Sequence, residues 1–360
     1  MTMKMSRIGG SHYAMCDTEI LGEGAFGEVK LGFHGGDMKT KLAIKRITKS
    51  KLSTTMREHL KVEVDVLRRC LHPTIVPLRD VVETEDDVYF VMDYVNGGDL
   101  FDFVVARGKL DEPLARRAFG QLADAVNYLH NHLGVIHHDL KLENLLVDLS
   151  AADDVSLKLS DFGLCCTVQR PTDILTKFSG TEAYCSPEVL EGRPYNGSAN
   201  EVYAMGVILY ILVTGAYPFD SEIELQVAQQ TDYSHLSSLP FPRQVSRECR
   251  DLVLTLLDPN PRKRPTIERV LAHPFLQPYV ATLKTLETQK EEQDELQFAL
   301  EQEQYELLGC EEEINVCEVS VADEEQDDDT GDDDDAIDAS HVELSVMVDE
   351  DDDDFDGMLQ

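Results

Sequence analysis

Hydrophobic and polar positions change period several times along the chain, and each period predicts an element. Leu60, Val64, Leu67 and Leu71 recur at helical spacing and share one face of a helix predicted over Met56 to Leu71. Asp111 to His130 predicts a longer helix, capped by Asp111 with Pro113 in its first turn. Thr18 to Leu31 reads as two strands joined by a glycine-rich turn. Leu42-Ala43-Ile44-Lys45 reads as a strand carrying one inward lysine, and Ile75 to Val82 and Val88 to Met92 as two more. Leu145-Leu146-Val147 predicts a short buried strand. The longest apolar run, Val202 to Val213, contains Gly206 and falls short of the roughly 18 residues that span a bilayer, so it predicts a buried core helix. Thr282 to Leu308 is again helical in pattern, with Leu283, Leu286, Leu296, Leu300, Leu307 and Leu308 set among Glu and Gln. Met1 to Met15 shows no period and reads as a flexible lead-in. Glu311 to Gln360 is Asp-rich and reads as disordered.

Charge divides the chain more sharply than hydrophobicity does. The net charge is −37 over 360 residues; residues 277–360 carry 31 acidic and 2 basic side chains, or −29, which leaves −8 for residues 1–276. That balance argues against nucleic acid and anionic membranes as direct ligands. A hydrophobic content of 42% is ample for a sizeable core. The eight cysteines have no metal-ligand spacing, and Met1 to Gly10 has no apolar run of a secretory signal. The expectation is reduced thiols in the cytoplasm or nucleus.

The candidate chemistry lies in His137 to Phe162. Asp139 can orient an attacking hydroxyl and take its proton; Asn144 and Asp161 offer oxygens to magnesium, a hard cation. Asn144 follows Asp139 by five positions, which suits a tight loop aiming both into one cavity. Upstream, Leu21 precedes Gly22-Glu23-Gly24-Ala25-Phe26-Gly27-Glu28-Val29. Its glycines let backbone N–H groups approach phosphates. Strand, not helix, follows the third glycine, which disfavours a dinucleotide-binding fold. Taken alone, Lys45 reads as a surface lysine and Glu63 as a solvated acid like Glu58.

His137-His138-Asp139-Leu140-Lys141-Leu142-Glu143-Asn144 followed by Asp161-Phe162-Gly163 resembles the catalytic loop and metal motif of eukaryotic protein kinases, in the serine/threonine-specific, calcium/calmodulin-dependent-kinase-like group. The resemblance covers Cys16 to Leu276, with the motifs in family order. It implies an α+β, two-lobed fold, a small antiparallel β lobe (16–95) and a larger helical lobe (96–276), followed by an acidic helical extension (277–310) and a disordered acidic tail (311–360). It implies ATP and Mg2+ as cofactors and transfer of the γ-phosphoryl group to serine or threonine of protein substrates. Carried over residue by residue, Asp139 and Lys141 are catalytic, and Asn144 and Asp161 bind metal. Lys45 holds the α- and β-phosphates and pairs with Glu63, which lies ten residues before Pro73. Met92 guards the deeper pocket, the backbone of Asp93 and Val95 meets the adenine, and Val29, Ala43 and Leu146 sandwich its ring. Leu67, Leu78, His137 and Phe162 form an internal apolar stack. Thr181 bonds Asp139 and Lys141, and Glu188 pairs with Arg264. Asp99 and Glu143 match acids that contact arginines upstream of the acceptor in basophilic relatives, or else are merely solvated.

Four positions depart from the family. His138 stands where an arginine usually binds a phosphate on the activation segment, and Lys177 where that phosphate is usually accepted. A neutral histidine serves such a phosphate poorly at pH 7. Activity independent of activation-segment phosphorylation is therefore expected, with Thr176 and Ser179 as the remaining hydroxyls. Glu201 replaces an aspartate that holds the catalytic loop, and Glu182 a common proline. The alternative to an enzyme is a pseudokinase-like binding scaffold with an acidic recruitment tail. That tail is a solvating segment or a site for a basic protein partner; its acidity disfavours calmodulin. Asp352, Asp354, Asp356 and Gly357 match the start of a calcium loop whose closing glutamate is missing.

Overall fold

The computed structural model describes residues 4–300 apart from 25–26, 36, 151–154, 178, 220–238 and several positions after 286. The side chains of residues 23, 24 and 37 also lie outside the description, as do the Asp-rich segment, the calcium-loop match and Leu307 and Leu308. The chain divides into two units, 1–289 and 290–360, and the first holds all the elements below.

Six strands, β1 (Met5–Arg7), β2 (Tyr13–Gly24), β3 (Gly27–His34), β4 (Asp37–Thr48), β5 (Leu78–Glu83) and β6 (Asp87–Asp93), form one antiparallel sheet in the order β1-β2-β3-β4-β6-β5. Alternation decides its faces. Leu42 and Ile44 of β4 turn one way, with Val91 of β6 directly opposite Ile44. Ile8 and Met15 cover that apolar patch. Residues 1–15 are thus not simply a lead-in: Ile8 is 2% exposed, and Met5–Arg7 pairs with Ala14–Cys16. Three paired residues are too few to show a period in sequence, and their partner surface is assembled from distant strands.

Helix α1 (Thr54–Arg69) is capped by Ser53, whose Oγ accepts from the Met56 N–H. It buries Glu63, Val66 and Leu67 and ends before Leu71, which is 85% exposed. Cys70, not Leu71, closes the buried face. The strand expected from Ile75 begins only at Leu78; Ile75 is buried and forms an isolated bridge to Leu159.

The second lobe is helical. Helices α2 (Leu100–Arg107) and α3 (Glu112–Asn127) are capped by Asp99 and Asp111, whose side chains accept from the N–H of Asp102 and Leu114. A helical turn over Tyr128–Leu133 carries α3 on to Gly134. Then come α4 (Pro187–Leu190), α5 (Gly197–Thr214), α6 (Arg247–Leu256) and α7 (Ile267–Leu271). Helix α5 is long and apolar enough to cross a membrane by composition, yet 83% of it is buried inside the domain. Residues 277–286 are helical, and Tyr279 packs against Gly120 of α3. A single apolar cluster runs from Ile47 and Phe90 through Leu67 and Phe162 to α5. Full burial of a side chain such as Phe90, Phe119 or Phe162 contributes roughly 1.5–3 kcal/mol.

Three two-stranded ladders carry the functional loops. They are β7 (Val135–Ile136) with β10 (Cys166–Thr167), β8 (Leu145–Asp148) with β9 (Ser156–Leu159), and β11 (Ile174–Leu175) with β12 (Tyr195–Asn196). The first two hold residues 137–144 and 160–165 side by side.

Candidate active site

Strand register places the lysine. Val29 lies directly opposite Lys45, and Ala43 shares the face of β4 that Lys45 occupies, so all three line the inner face of the sheet. Lys45 is 8% exposed, and its Nζ donates to Glu63 Oε1 at 2.7 Å and to Asp161 Oδ1 at 3.0 Å. Burial opposes the lysine's charge, but the two carboxylates outweigh it and raise the ammonium well above the ordinary lysine value. Asp161, conversely, would rise on burial; Lys45 holds it below the usual carboxylate range. Asp161 takes the left-handed backbone region at φ 58, an uncommon conformation for a residue other than glycine.

The loop after β7 converges on Asp139. Its Oδ1 accepts from Thr181 Oγ1 at 2.7 Å, and its Oδ2 from Lys141 Nζ at 2.6 Å and from Asn144 Nδ2 at 3.0 Å. Lys141 also donates to Thr181 Oγ1 at 3.1 Å. Asn144 Nδ2 reaches the Asp139 carbonyl as well, at 2.7 Å, so the amide is held by the loop it closes. Ser160 ties this loop to Asp161: its N–H and hydroxyl both donate to the Asn144 carbonyl, and its own carbonyl lies 3.0 Å from His137 Nε2. His137, fully buried, meets the Phe162 ring edge-on at 4.8 Å. Leu67 and Phe162 are buried and Leu78 half-buried in the same apolar cluster.

The donor set suits magnesium. With Asn144 Nδ2 engaged, its Oδ1 remains as an oxygen donor, and the Asp161 side chain is 47% exposed. Among the described residues no group of three or more His, Cys, Asp or Glu could hold a metal by itself. Two oxygen donors with the remaining positions left to water and phosphate match a hard cation that dehydrates reluctantly.

The roof is partly described. Leu21 is exposed and Gly22 half-buried, Glu28 and Val29 are half-buried on β3, and Glu23 and Gly24 end β2; Ala25 and Phe26 lie outside the described residues. A Cβ on Gly22 would meet nothing within 4 Å, whereas one on Gly27 would lie 1.8 Å from the Arg46 carbonyl. The third glycine therefore admits β4, in addition to any part in phosphate approach. Ala43 pairs with Met92 across the sheet, Asp93 receives Arg79 through two hydrogen bonds, and Val95 and Leu146 are half-buried.

The activation segment is closed by a buried pair. Arg264 donates to both Glu188 oxygens, at 2.6 and 2.8 Å. Burial alone would raise the Glu188 carboxyl; Arg264 outweighs it and lowers it. Asp99 and Glu143 do not form one cluster of bare acids. Asp99 serves α2 as its cap, while Glu143 is exposed, with the Tyr184 hydroxyl 3.4 Å from its Oε2.

Several contributors escape the motif. His138 is 7% exposed at φ 70, its N–H donates to Glu201 Oε1 at 2.7 Å, and its Nε2 lies 3.2 Å from Cys166 Sγ. Burial lowers its pKa, so it stays neutral at pH 7. Glu201 Oε2 lies 2.5 Å from His130 Nε2. Ser160 and Cys166 carry no signal of their own in the sequence, and His130 carries only that of a polar residue at the end of the predicted helix.

Comparison with known proteins agrees with this geometry. Residues 16–276 match the family model described as the protein kinase domain. The chain is 38% identical over 258 residues to the probable serine/threonine-protein kinase MARK-A of Dictyostelium discoideum, which covers 72% of this chain and 24% of that protein. It is 39% identical over 267 residues to CBL-interacting protein kinase 21 of Oryza sativa subsp. japonica, covering 73% and 49%. It is 38% identical over 265 residues to testis-specific serine/threonine-protein kinase 2 of Mus musculus, covering 72% of each. The chain thus spans less than half the length of the first two of these relatives. With the lysine–glutamate pair, the Asp139 loop and Asp161 all brought to one cleft, the chain belongs to the protein kinase family, in its serine/threonine-specific, calcium/calmodulin-dependent-kinase-like group.

Proposed function

We propose that this chain is an ATP-dependent protein serine/threonine kinase. One observation carries the reading: the Asp139 carboxylate is held between the Thr181 hydroxyl, the Lys141 ammonium and the Asn144 amide, at 2.7, 2.6 and 3.0 Å. A carboxylate so fixed orients a substrate hydroxyl and accepts its proton. Lys141 steadies the transferred phosphoryl group. Lys45, kept charged by Glu63 and Asp161, takes the α- and β-phosphates. Asn144 and Asp161 would hold magnesium, which when bound would supply neutralisation of the phosphate charge. The acceptors are proteins, and the exposed Glu143 favours arginine upstream of the acceptor. The acidic residues 311–360 recruit a basic partner or simply solvate the chain; they lie outside the described residues.

The test is phosphoryl transfer from labelled Mg-ATP to a basic peptide by the full chain. Asp139→Asn and Asp161→Asn are each expected to lower transfer by about 10²–10⁴-fold. A wild-type chain that binds Mg-ATP and labels no polypeptide would be a scaffold, and the proposal would fail.

A further inference from the structure

Residues 93–99 cross from the small lobe to the large one, and the two ends of the crossing are held differently. Strand β6 ends at Asp93, while Asp99 already bridges Leu146 of β8. The far end is tied by backbone. The Gly97 N–H donates to the Val147 carbonyl and the Val147 N–H to the Gly98 carbonyl, both at 2.8 Å. The Leu149 N–H donates to Asn96 Oδ1, also at 2.8 Å. A Cβ on Gly97 would lie 2.3 Å from the Val147 carbonyl, so a larger residue would break that approach. The near end depends on a side chain. Arg79 donates through Nε to Asp93 Oδ1 at 2.5 Å and through Nη2 to Asp93 Oδ2 at 2.9 Å, a two-point fork. The Asp93 N–H adds one bond to the Pro77 carbonyl at 3.2 Å. Strand register explains the reach of Arg79. Leu78 pairs with Met92 and Asp80 with Val91, so Arg79 is the extra residue of a bulge and has no cross-strand partner. A bulge re-aims the side chain it carries.

We propose that Arg79 is a positioning residue for nucleotide binding: its fork on Asp93 holds the small lobe at the angle at which Lys45 meets the phosphates. The inference rests on the kinase reading and deepens it. Lys45 belongs to the small lobe and Asp161 to the large one, so their 3.0 Å bond needs this closure of the cleft. Arg79 acts through Asp93, not on the substrate. The pair is partly in solvent, with the Arg79 side chain 60% exposed and that of Asp93 33%. The expected effect is therefore modest, roughly two- to fivefold in nucleotide affinity, and it should shrink as salt is added. Lysine at position 79 would keep the charge and lose the fork.

The experiment measures Kd for Mg-ATP, kcat on a basic peptide and the melting temperature, for the full chain at low and high salt. The variants are Arg79→Ala, Arg79→Lys, Asp93→Asn and the double variant Arg79→Ala with Asp93→Asn. Each of Arg79→Ala and Asp93→Asn is expected to raise Kd by that factor, with the loss falling on Kd more than on kcat. Arg79→Lys should lie between Arg79→Ala and wild type. The double variant should bind no worse than the weaker single one, because both singles remove the same contact. The ratio of Arg79→Ala to wild type should fall toward one at high salt. Additive losses in the double variant, or an Arg79→Ala chain that melts lower yet binds Mg-ATP as wild type does, would overturn the assignment. If Arg79→Ala does not fold, Arg79→Lys against wild type at the two salt concentrations decides the same question. A wild type that binds Mg-ATP and labels no polypeptide would overturn the kinase reading alone, since the Kd shifts still decide the role of Arg79. One that binds no Mg-ATP would overturn both.

Discussion

Thr181 Oγ1 donates to Asp139 Oδ1 at 2.7 Å across 42 residues of chain, and Lys141 Nζ donates to that same hydroxyl at 3.1 Å. The hydroxyl therefore does for the activation segment what no apolar residue could: it registers the segment against the Asp139 carboxylate. Hydrogen bonds to charged groups are worth about 1.5–3 kcal/mol. Thr181→Ala is expected to lower kcat by roughly ten- to a hundredfold with little change in nucleotide KM, and Thr181→Ser to retain most activity. Steady-state kinetics decide it; an Ala variant matching wild type would show that the contact does not position Asp139.

Glu188 and Arg264 form a buried two-point ion pair, 1% and 6% exposed. Removing one partner strands the other charge, at a cost of about 3–5 kcal/mol. The folded Glu188 carboxyl is lowered from its ordinary 4.5. Its stabilisation is therefore fully present above the unfolded value and is lost as pH falls below that toward the folded one. Glu188→Gln should melt well below wild type at pH 7, with the gap narrowing only beneath pH 4.5. Thermal unfolding at pH 7, 5, 4 and 3.5 checks this, and a gap constant over the whole range would contradict it.

Those two contacts, with Lys45–Glu63, were legible only through the resemblance of the motifs that carry them to a known family; taken alone, Lys45 and Glu63 read as solvated surface groups. The strands and α3 were legible because burial of one face imposes a period. What escaped were features set by surfaces meeting from afar. Ile8 is buried because Leu42, Ile44 and Val91 need a cover. Leu71 matched the helical period but falls beyond the turn that ends α1. Gly27 looked like a phosphate residue, and the close Arg46 carbonyl explains it at least as well. His138 read only as a lost arginine; its bonds to Glu201 and Cys166 depend on two other elements.

His138 bears on regulation. It is buried, neutral at pH 7 and within 3.2 Å of a thiol that burial raises to about 11, so neither group supplies a cation for a phosphate. The segment is instead held by the Tyr195 hydroxyl on the Lys177 carbonyl at 2.9 Å and by Asn196 on the Pro171 carbonyl at 2.6 Å. Thr176→Ala combined with Ser179→Ala is expected to keep wild-type kcat in material treated with phosphatase. An inactive double variant would show that the segment needs phosphate after all.

Glu201 fixes the loop that carries Asp139 with both carboxylate oxygens: Oε1 takes the His138 N–H at 2.7 Å, and Oε2 meets His130 Nε2 at 2.5 Å. The site is 1% exposed, so neither bond is replaced cheaply by water. Burial would raise this carboxyl, but His130 outweighs it and lowers it. Glu201→Asp draws the carboxylate back by about 1.5 Å, one carbon–carbon bond. The shorter acid cannot keep both partners unless α5 or the loop shifts, and the loop carries Asp139. Misplacement on this scale costs up to about a hundredfold in rate. Glu201→Gln keeps the length, and its carbonyl oxygen still accepts from His138. The expected order of kcat is therefore wild type, Glu201→Gln, Glu201→Asp, with nucleotide KM little changed because Lys45 and Glu63 are untouched. His130→Ala should resemble Glu201→Gln in kcat but melt lower, since it leaves a buried carboxylate oxygen without its partner. If Glu201→Asp instead turned over as fast as wild type, the reach of the longer side chain would have no part in placing Asp139.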